Sequence, residues 1–506
     1  SGETKSPLVV RRKNMLEEIC KALAEETNIR ENLIELKKSI KNQDALKEWK
    51  EYHATHPVLY AFLSSEDAKI RKNAALILGE TNESGAAKAL FEAYQRENTR
   101  FVKSSYLTAM NGLDIEIYQD AFGKRYKELL AEVPAESEKK HRTEELHALD
   151  KLLGGLNQNK KHRFTGYEEE VEVLLTTNPA YREITAEQIK KDRPVLVPAG
   201  VKVKTTHLRD VIKIRTFREM LLLLSGGHRI AAEPEAVAEA YAKSNLMELL
   251  NRLHEGNPPF RFRMEVRGIA PEEKGSFIRK AAAALEDLTG HQLLNTVDDY
   301  EIELRLTKNA DGTLYPTCKL FTIPMRRFSY RKEAVAASIH PANAALFMKL
   351  AEPYLKKGAQ VLDPCCGVGT MLMERDLLVP AGDMYGLDIF GEAVIKAREN
   401  AKAAGRQINY INRDFFDFTH KYLFDEIICN MPLRGKKTRE EQDAFYSQFF
   451  DCAGKFLKNG GHMILYSNEG GFVKKQLRRH MEYRLIDEFC IREKEGFYLF
   501  IVGKKG

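Results

Sequence analysis

Cysteine is scarce in this chain, and the cysteines present form none of the patterns that bind metal. The 506 residues include seven cysteines, with no Cys-x-x-Cys pair and no regular spacing. Structural zinc sites need Cys and His at short fixed spacings, so no metal site is predicted. An odd number of scattered cysteines is typical of free thiols in a reducing compartment. The sequence therefore predicts neither a disulfide framework nor a metal centre.

Long apolar runs and a strong excess of one charge are also missing. The longest apolar run, "MLLLL" at 220–224, is far shorter than the ~20 residues that span a bilayer. The opening "SGETKSPLVVRRK" lacks the apolar core of a secretory leader. With 79 Lys and Arg against 73 Asp and Glu, the net charge of +6 permits a nucleic-acid partner without requiring one. We expect a cytoplasmic protein of about three domains.

What is present begins with a helical repeat. The segment "EDAKIRKNAALILGE" (66–80) aligns with "NTRFVKSSYLTAMNG" (98–112), and apolar residues recur three and four apart in both. A helix pair that recurs at this period buries its apolar face by stacking on its neighbours. The pattern resembles HEAT repeats, and an unrelated helical bundle is the alternative. We predict a helical domain over 1–155 that binds a protein or RNA partner through basic positions such as Arg71, Lys72 and Lys103.

Polar segments at 131–145 and 152–163 read as linkers, and the pattern beyond them changes to short strands and helices. It includes helices expected at 186–191 and 236–253, the strand "FRFRMEVRG" (260–268), a further helix, and two strands across Asp311-Gly312, which is a strong hairpin signal. This region, 160–325, resembles a ferredoxin-like domain followed by a THUMP domain, an α+β RNA-binding module. Arg261, Arg263 and Arg267 alternate with apolar residues, so they are candidate RNA ligands, and a merely solvated face is the alternative.

Residues 326–506 alternate strand and helix and end in a hairpin at Glu495-Gly496, which predicts a mixed sheet with helices on both faces. In "VLDPCCGVGTMLME" a strand ends at Asp363, glycines form a turn, and a helix opens at Thr370. A second strand ends in Asp388, at the offset where an acidic residue meets ribose hydroxyls in dinucleotide folds. The motif puts a carboxylate where pyrophosphate sites have a backbone nest, which suits a cationic ligand without phosphate.

This domain resembles the class I methyltransferases that use S-adenosylmethionine, a Rossmann-like α/β fold with a mixed seven-stranded sheet. A nucleotide-binding or redox Rossmann domain is the alternative. The resemblance implies a set of cofactor-binding residues around the methionine, ribose and adenine. In this sequence they are His340, Asp363, Cys365, Gly367, Gly369, Asp388, Ile389, Asp414, Phe415 and Asn430. His340 precedes Pro341, so a helix-entry role is the other interpretation of that residue.

The stretch "DEIICNMPLRGKK" (425–437) carries the catalytic candidates Asn430, Met431, Pro432 and Leu433. Enzymes of this class that methylate exocyclic base amines have a similar turn after the fourth strand. The Asn side-chain oxygen and the carbonyl before Pro432 can accept both N–H groups of the amine, which holds its nitrogen in line with the methyl group. An ordinary turn is the alternative. Leu433 stands where the family has an aromatic that stacks on the flipped base.

Several nearby residues are candidates to compensate for that missing aromatic. Arg434, Phe390 and Phe445 are candidates to supply a flat surface for the base. We also predict a basic rim that contacts RNA phosphates, formed by Arg434, Lys436 and Lys437. A solvated loop is the alternative.

The order of the regions resembles RNA methyltransferases with a THUMP domain. We expect a methyltransferase that acts on an exocyclic base amine of RNA, foremost guanine N2 of tRNA. The alternatives are adenine N6 or rRNA as the target, then a glutamine side chain of a protein, and last an inactive RNA-binding module.

Overall fold

The computed structural model describes residues 7–156, 162–336 and 338–506, without the side chains of 7–14 and 155–156. Within these ranges the chain divides into two compact units. The first contains residues up to 162 with 256–263 and 282–301, and the second contains 163–255, 264–281 and 302–506. The division into domains at 1–155, 160–325 and 326–506 stays a prediction. The predicted linker at 152–163 and the opening segment 1–13, which is not expected to be a leader, both fall partly outside the described residues.

The first unit is built mainly from helices that share one apolar core. No helix in the described ranges has the length and apolar character needed to cross a bilayer. The helices of this region are α1 (Pro7–Ala24), α2 (Ile29–Ser39), α3 (Gln43–Thr55), α4 (Leu59–Phe62), α5 (Ala68–Thr81), α6 (Ala86–Arg96), α7 (Arg100–Met110), α8 (Gln119–Ala131) and α9 (Lys139–Leu156).

The two aligned segments form the helices α5 and α7, which pack on each other. They begin 32 residues apart, as the alignment predicts. Gly79 makes this packing close, because a Cβ there would overlap the carbonyl of Ala109 and lie 2.8 Å from its Cα. The helices that precede them differ, since α4 is a single turn and α6 has 11 residues. The likeness to HEAT repeats stays a prediction.

The two predicted linkers, 131–145 and 152–163, are wrong over 139–145 and 152–156, because α9 covers these residues. Apolar residues interleave with the charges and face the core, with Leu146 and Leu149 fully buried. Glu145 is buried as well, and it accepts hydrogen bonds from Tyr94 (2.6 Å) and Arg125 (3.0 Å). The many charged residues of this segment thus belong to a helix, in which some form buried ion pairs and others lie on the exposed face.

Two of the three basic positions proposed as a binding surface are structural. Arg71 forms a bidentate ion pair with the buried Glu97, with both N···O distances 2.8 Å. Lys103 lies over the ring of Tyr94, 4.9 Å from its centroid, and its burial lowers the pKa of the ammonium group. Neither side chain is presented to a partner.

The middle of the chain forms short strands and helices, and the strands β3-β4-β2-β5-β10-β9 follow one another in a sheet in the second unit. The Asp311-Gly312 hairpin is confirmed, since β9 and β10 pair antiparallel from Lys308 and Leu314. The elements are β1 (Arg163–Phe164), β2 (Val171–Thr176), α10 (Arg182–Ala186), β3 (Val195–Val197), β4 (Gly200–Thr205), α11 (Leu208–Val211), β5 (Met220–Leu223), α12 (Pro234–Lys243), α13 (Leu246–Leu253), β6 (His254–Glu255), β7 (Phe260–Arg267), α14 (Pro271–Leu288), β8 (Leu293–Asn295), β9 (Ile302–Lys308) and β10 (Leu314–Leu320).

Two predicted helices of this region differ from the observed ones. The helix expected at 186–191 ends at Ala186 instead of starting there. The single helix expected at 236–253 is broken between α12 and α13 at Ser244, whose hydroxyl accepts a hydrogen bond from the amide of Leu246 (3.2 Å). Side-chain capping of this kind competes with a continuous helix.

The last third of the chain forms a seven-stranded sheet with the order β13-β12-β11-β14-β15-β17-β16. The first five strands are parallel, and β17 is antiparallel to both of its neighbours, as predicted. The elements are α15 (Pro341–Ala351), β11 (Val361–Asp363), α16 (Thr370–Leu378), β12 (Met384–Asp388), α17 (Gly391–Ala403), β13 (Asn409–Asn412), β14 (Phe424–Asn430), α18 (Arg439–Phe456), β15 (Leu457–Ser467), α19 (Gly470–Arg479), β16 (Tyr483–Arg492) and β17 (Phe497–Lys504).

This sheet is covered on both faces. Successive residues of its central strands contribute alternately to two apolar clusters, with Ile428 in one and Ile427 in the other. The strand order reverses between β11 and β14, and the carboxyl ends of these strands open at the same edge. Ligands of open α/β sheets bind at this position.

Candidate active site

The glycine-rich turn after β11 is held to the end of β12. The amide of Cys366 donates to the carbonyl of Leu387 (2.8 Å), and the amide of Gly367 donates to Oδ2 of Asp388 (2.9 Å). Oδ1 of Asp388 accepts a hydrogen bond from the amide of Phe390 (2.9 Å). Two carboxyl ends that the sequence places 25 residues apart, Asp363 and Asp388, therefore meet at one turn.

Gly369 occupies a position that no other residue could take without strain. Its φ of 81° lies in the left-handed region, and a Cβ there would overlap the hydroxyl of Tyr410. The same ring lies against Gly386 of β12, where a Cβ would be 2.6 Å from the Tyr410 ring and 3.0 Å from Cys366 Sγ. Tyr410 thus reaches across β12 and supports the turn from below.

Asp363 is the one fully buried carboxyl group of this turn. Its Oδ1 accepts a hydrogen bond from the amide of Cys365 (3.1 Å), whereas Oδ2 is buried without a hydrogen-bond partner. Burial, with a smaller effect from the charge of Asp388, raises the pKa of Asp363 to about 8. A buried carboxyl oxygen without a partner is suited to a cationic group of a ligand.

The segment before α15 is tied to the turn by Asn400 of α17. The buried side-chain amide of Asn400 donates to the carbonyls of Glu333 and Val368, both at 3.1 Å, and accepts from the amide of Glu333 (3.0 Å). His340 caps α15, since its Nδ1 accepts from the amide of Ala342 (3.1 Å). Burial, together with the nearby Arg218 and Arg331, lowers the pKa of His340 to about 4. The helix-entry interpretation of His340 is therefore observed, and its ligand role stays a prediction.

The turn after β14 lies beside this site because β14 pairs with β11. Asn430 ends the strand next to Tyr466 of β15, and the amide of Met431 donates to the Tyr466 carbonyl (2.9 Å). The carbonyl of Pro432 accepts a hydrogen bond from Gln442 of α18 (3.0 Å). Leu433 follows with 58% of its surface exposed. The turn is thus fixed on both sides, and an exposed aliphatic side chain stands where the family has an aromatic.

The residues predicted around the adenine and ribose differ in exposure. Ile389 and Phe390 follow Asp388 and are exposed apolar side chains. Asp414 accepts a hydrogen bond from the amide of Phe416 (2.9 Å) and is exposed. Phe415 packs against Phe449 in the core, with 4% exposed. Its role around the adenine stays a prediction.

The predicted basic rim lies on the exposed loop between β14 and α18. Arg434, Lys436 and Lys437 are exposed, and the Lys437 ammonium lies 4.8 Å from the centroid of the Phe445 ring. Phe445 also contacts Phe416 edge-on. Of the three predicted substitutes for the missing aromatic, Phe445 is therefore in contact with Lys437 and Phe416, whereas Phe390 and Arg434 are exposed.

The three arginines of β7 are less available than the sequence predicts. Their alternation with buried residues is confirmed. In the first unit, however, Arg261 has 13% of its side chain exposed and faces Asp150 (3.8 Å) and Asp299 (3.6 Å). Arg263 lies over the ring of Tyr300. Arg267, in the second unit, is half-exposed near Glu219 (3.6 Å). The prediction that Arg261 contacts RNA is not supported, since α9 and the 299 turn cover it.

Sequence reasoning missed two buried residues that hold the site together. Tyr410 had a signal, since Gly386 leaves room opposite it in the neighbouring strand. Glu374 of α16 had none. It is buried and accepts a hydrogen bond from Tyr330 (2.6 Å) and a bidentate pair from Arg215 (2.8 and 2.7 Å). These partners are 44 and 159 residues away in sequence, so only the fold reveals them.

The strand order, the glycine turn at the switch point and the buried carboxyl define a class I methyltransferase fold. Its cofactor is S-adenosylmethionine, which supplies the methyl group. The residues present fit this ligand, because Asp363 offers a free oxygen to a cation, Asp388 lies at the strand end for ribose hydroxyls, and Ile389 is exposed for a ring.

The comparisons with known proteins agree with this class. Residues 329–492 match the family model UPF0020, the RMKL-like methyltransferase domain, so this part of the chain is a methyltransferase domain. The chain is 32% identical over 118 residues to the U6 snRNA (guanine-N(2))-methyltransferase THUMPD2 of Mus musculus, covering 23% of this chain and 22% of the relative. It is 29% identical over 114 residues to a tRNA (guanine(10)-N2)-dimethyltransferase of Methanothermobacter thermautotrophicus, covering 22% and 33%.

The crystal structure of TrmN from Thermus thermophilus has a similar fold, with a TM-score of 0.50 and 20% identity, covering 66% of this chain and 99% of that one. The chain spans a third or less of the length of the curated relatives it matches.

Proposed function

We propose that this protein is an S-adenosylmethionine-dependent RNA methyltransferase that methylates an exocyclic base amine, foremost guanine N2 of tRNA. The observation that carries the proposal is the position of Asn430. It ends β14, next to β11 with its glycine turn, and Met431 and Pro432 continue into a turn fixed by hydrogen bonds to Tyr466 and Gln442.

The proposed chemistry needs acceptors and not a strong base. The lone pair of an exocyclic amine is delocalised into the base, so the nitrogen is a weak nucleophile. The side-chain oxygen of Asn430 and the carbonyl of Met431 accept its two N–H groups, which orients the nitrogen and favours its pyramidal form in the transition state. Pro432 has no N–H to compete for these acceptors.

Guanine N2 and RNA are proposed because the two relatives named above act on guanine N2, one in U6 snRNA and one in tRNA. The middle region's resemblance to THUMP domains supports tRNA as the substrate. Leu433 leaves the choice of base open, because an aliphatic side chain packs on any base without selecting one.

The test is a methyl-transfer assay with labelled S-adenosylmethionine. The protein is incubated separately with bulk tRNA, rRNA and cell protein, and each product is digested and identified. We expect the label in N2-methylguanosine from tRNA. Label on adenine N6 or in rRNA would correct the target but keep the class, whereas label on protein alone, or none, would overturn the proposal.

A further inference from the structure

An unpaired group of cations lies in the second unit, in "RRFSYRK" (326–332) and at Arg218. In the described part of the chain, no carboxylate forms an ion pair with Arg218, Arg326, Arg331 or Lys332. Other cations nearby are paired, since Arg215 binds Glu374 and Arg305 binds Glu219. These four cations come from two short parts of the chain, residue 218 and residues 326–332.

Arg327 holds the two segments together. Its guanidinium donates to the carbonyls of Ile214 (3.0 Å) and Arg218 (2.9 Å) and lies 3.6 Å from the centroid of the Phe217 ring. Residues 326–332 are therefore packed against 214–218, and the joined segments carry three exposed cations, Arg218, Arg326 and Lys332, and the partly buried Arg331.

This surface meets the amino end of α15. Nη2 of Arg218 approaches Oδ1 of Asn343 at 3.4 Å, and the charges of Arg218 and Arg331 both act on His340, the cap of the same helix. The helix dipole adds positive potential there. The carboxylate of Glu219, which follows Arg218 in the chain, is engaged by Arg305 and Lys319, at 2.6 and 2.9 Å.

Helix α15 contacts both the cations and the strand next to the catalytic candidates. Phe347, one turn after Asn343, packs on Tyr466 with ring centroids 4.4 Å apart. Tyr466 is the strand partner of Asn430. The cations thus lie at the border of the proposed base site, on the side of α15, and not on the 434–437 loop that the sequence singled out.

We propose that Arg218, Arg326, Arg331 and Lys332 form a phosphate-binding surface for the RNA strand that carries the target nucleotide. The proposal rests on the proposed function, because a base that reaches Asn430 must bring its own backbone past the mouth of the site. Cations without carboxylate partners bind a phosphodiester backbone without reading its sequence. The surface would position the strand and leave the choice of base to residues near Leu433.

The test measures binding of fluorescein-labelled bulk tRNA over a series of KCl concentrations. Arg218 is exposed, and the side-chain hydrogen bond it makes within the described residues is to Asn343, which is not proposed to bind cofactor or amine, so Arg218→Ala should fold normally. We expect it to weaken tRNA binding about tenfold and to lower the slope of log Kd against log salt by about 1. The Kd for S-adenosylmethionine should be unchanged. Arg218→Glu should weaken tRNA binding further.

Lys402→Glu is the matched control, because Lys402 is an exposed cation at the end of α17, next to the opposite edge of the sheet. It should leave the Kd for tRNA and the salt slope unchanged. The proposal would be overturned if Arg218→Glu and Lys402→Glu lost equal affinity for tRNA, or if Arg218→Ala left the salt slope unchanged. It would also be overturned if the wild type did not bind tRNA. Displacement of tRNA by polyglutamate at equal charge would also overturn it, in favour of an acidic protein.

The two proposals fail in different ways. An unchanged salt slope in Arg218→Ala, with methylated tRNA still formed by the wild type, would reject the surface alone. Label on protein only, in the transfer assay, would reject the proposed function whatever the binding slopes.

Discussion

At the residue scale, Asn430 decides whether the turn after β14 is catalytic. Asn430 is the last residue of a strand in the interior of the sheet. The amide of the next residue, Met431, donates a hydrogen bond to the carbonyl of Tyr466. This rigidity is what an acceptor for an amine needs, since orientation counts only if it persists in the transition state.

We predict that Asn430→Ala lowers kcat by roughly 10²-fold, because one preorganised acceptor is lost. The Kd for S-adenosylmethionine should stay within about twofold of the wild type if the side chain acts mainly on the amine. Single-turnover kinetics and a separate binding titration distinguish the two effects. Preserved turnover with weakened cofactor binding would assign Asn430 to the cofactor instead.

The second prediction concerns Asp363 and the pH dependence of cofactor binding. Its pKa of about 8 in the free protein means that it is protonated at lower pH. A cationic ligand against Oδ2 favours the ionised form, so binding releases a proton, and the affinity for S-adenosylmethionine should rise with pH up to about 8 and then level off. The rise is at most tenfold per pH unit.

Calorimetry in two buffers with different ionisation enthalpies measures this proton release. The ligand carries its own titrating amine, so the comparison with Asp363→Asn isolates the contribution of the protein. An identical pH profile in both proteins would show that Asp363 does not titrate on binding.

At the scale of elements, the contact between α5 and α7 depends on one missing side chain. Gly79 lies in the last turn of α5, inside the helix, where glycine is normally unfavourable, and a methyl group there would overlap the backbone of Ala109. Gly123 in α8 has nothing within 4 Å of its would-be Cβ.

We therefore expect opposite effects from the same substitution. Gly79→Ala should destabilise the protein by about 1–3 kcal/mol, because the helices must separate. Gly123→Ala should stabilise it by about 0.5–1 kcal/mol, because only the flexibility of the unfolded chain is reduced. Urea unfolding of the two variants measures both changes. A stabilising Gly79→Ala would show that the helices are not in close contact.

At the scale of the whole molecule, the helical first unit includes residues from far along the chain. Leu294 of β8 is fully buried in the same apolar cluster as the N-terminal helices. Glu286 of α14 pairs with His147 of α9 (2.8 Å), and His291 contacts Arg142. The N-terminal helices thus cover residues of the middle region within this unit.

Removing residues 1–155 should therefore lower the stability of the remaining chain, and not merely its binding of a partner. The loss exposes Leu294 and leaves Glu286 without its cation, and both changes are unfavourable. Thermal unfolding of residues 162–506 beside the full chain measures the effect. A fragment as stable as the full chain would show instead that these helices are a separable addition. Because of this coupling, a partner of the helices is better sought with substitutions on their exposed faces.

The sequence alone determined the elements of the methyltransferase domain and the motif positions on them. Strand and helix alternate with a clear period, and Asp363, the glycines, Asp388 and Asn430 fall at strand ends, where a parallel sheet must bring them to one edge. It determined the hairpins for the same reason, since turn residues act locally. It did not determine the start of α9, because the charged residues there resemble a linker, or the break at Ser244, where side-chain capping interrupts an apolar pattern.

The tertiary structure alone decided which cations are free. Arg71, Arg261 and Lys103 looked available in sequence, but carboxylates or rings from other elements hold them. Arg218, Arg326, Arg331 and Lys332 drew no attention, yet no described carboxylate pairs with them. The physical reason is that the state of a charge depends on what the fold places within a few ångströms, and that neighbour is usually far away along the chain.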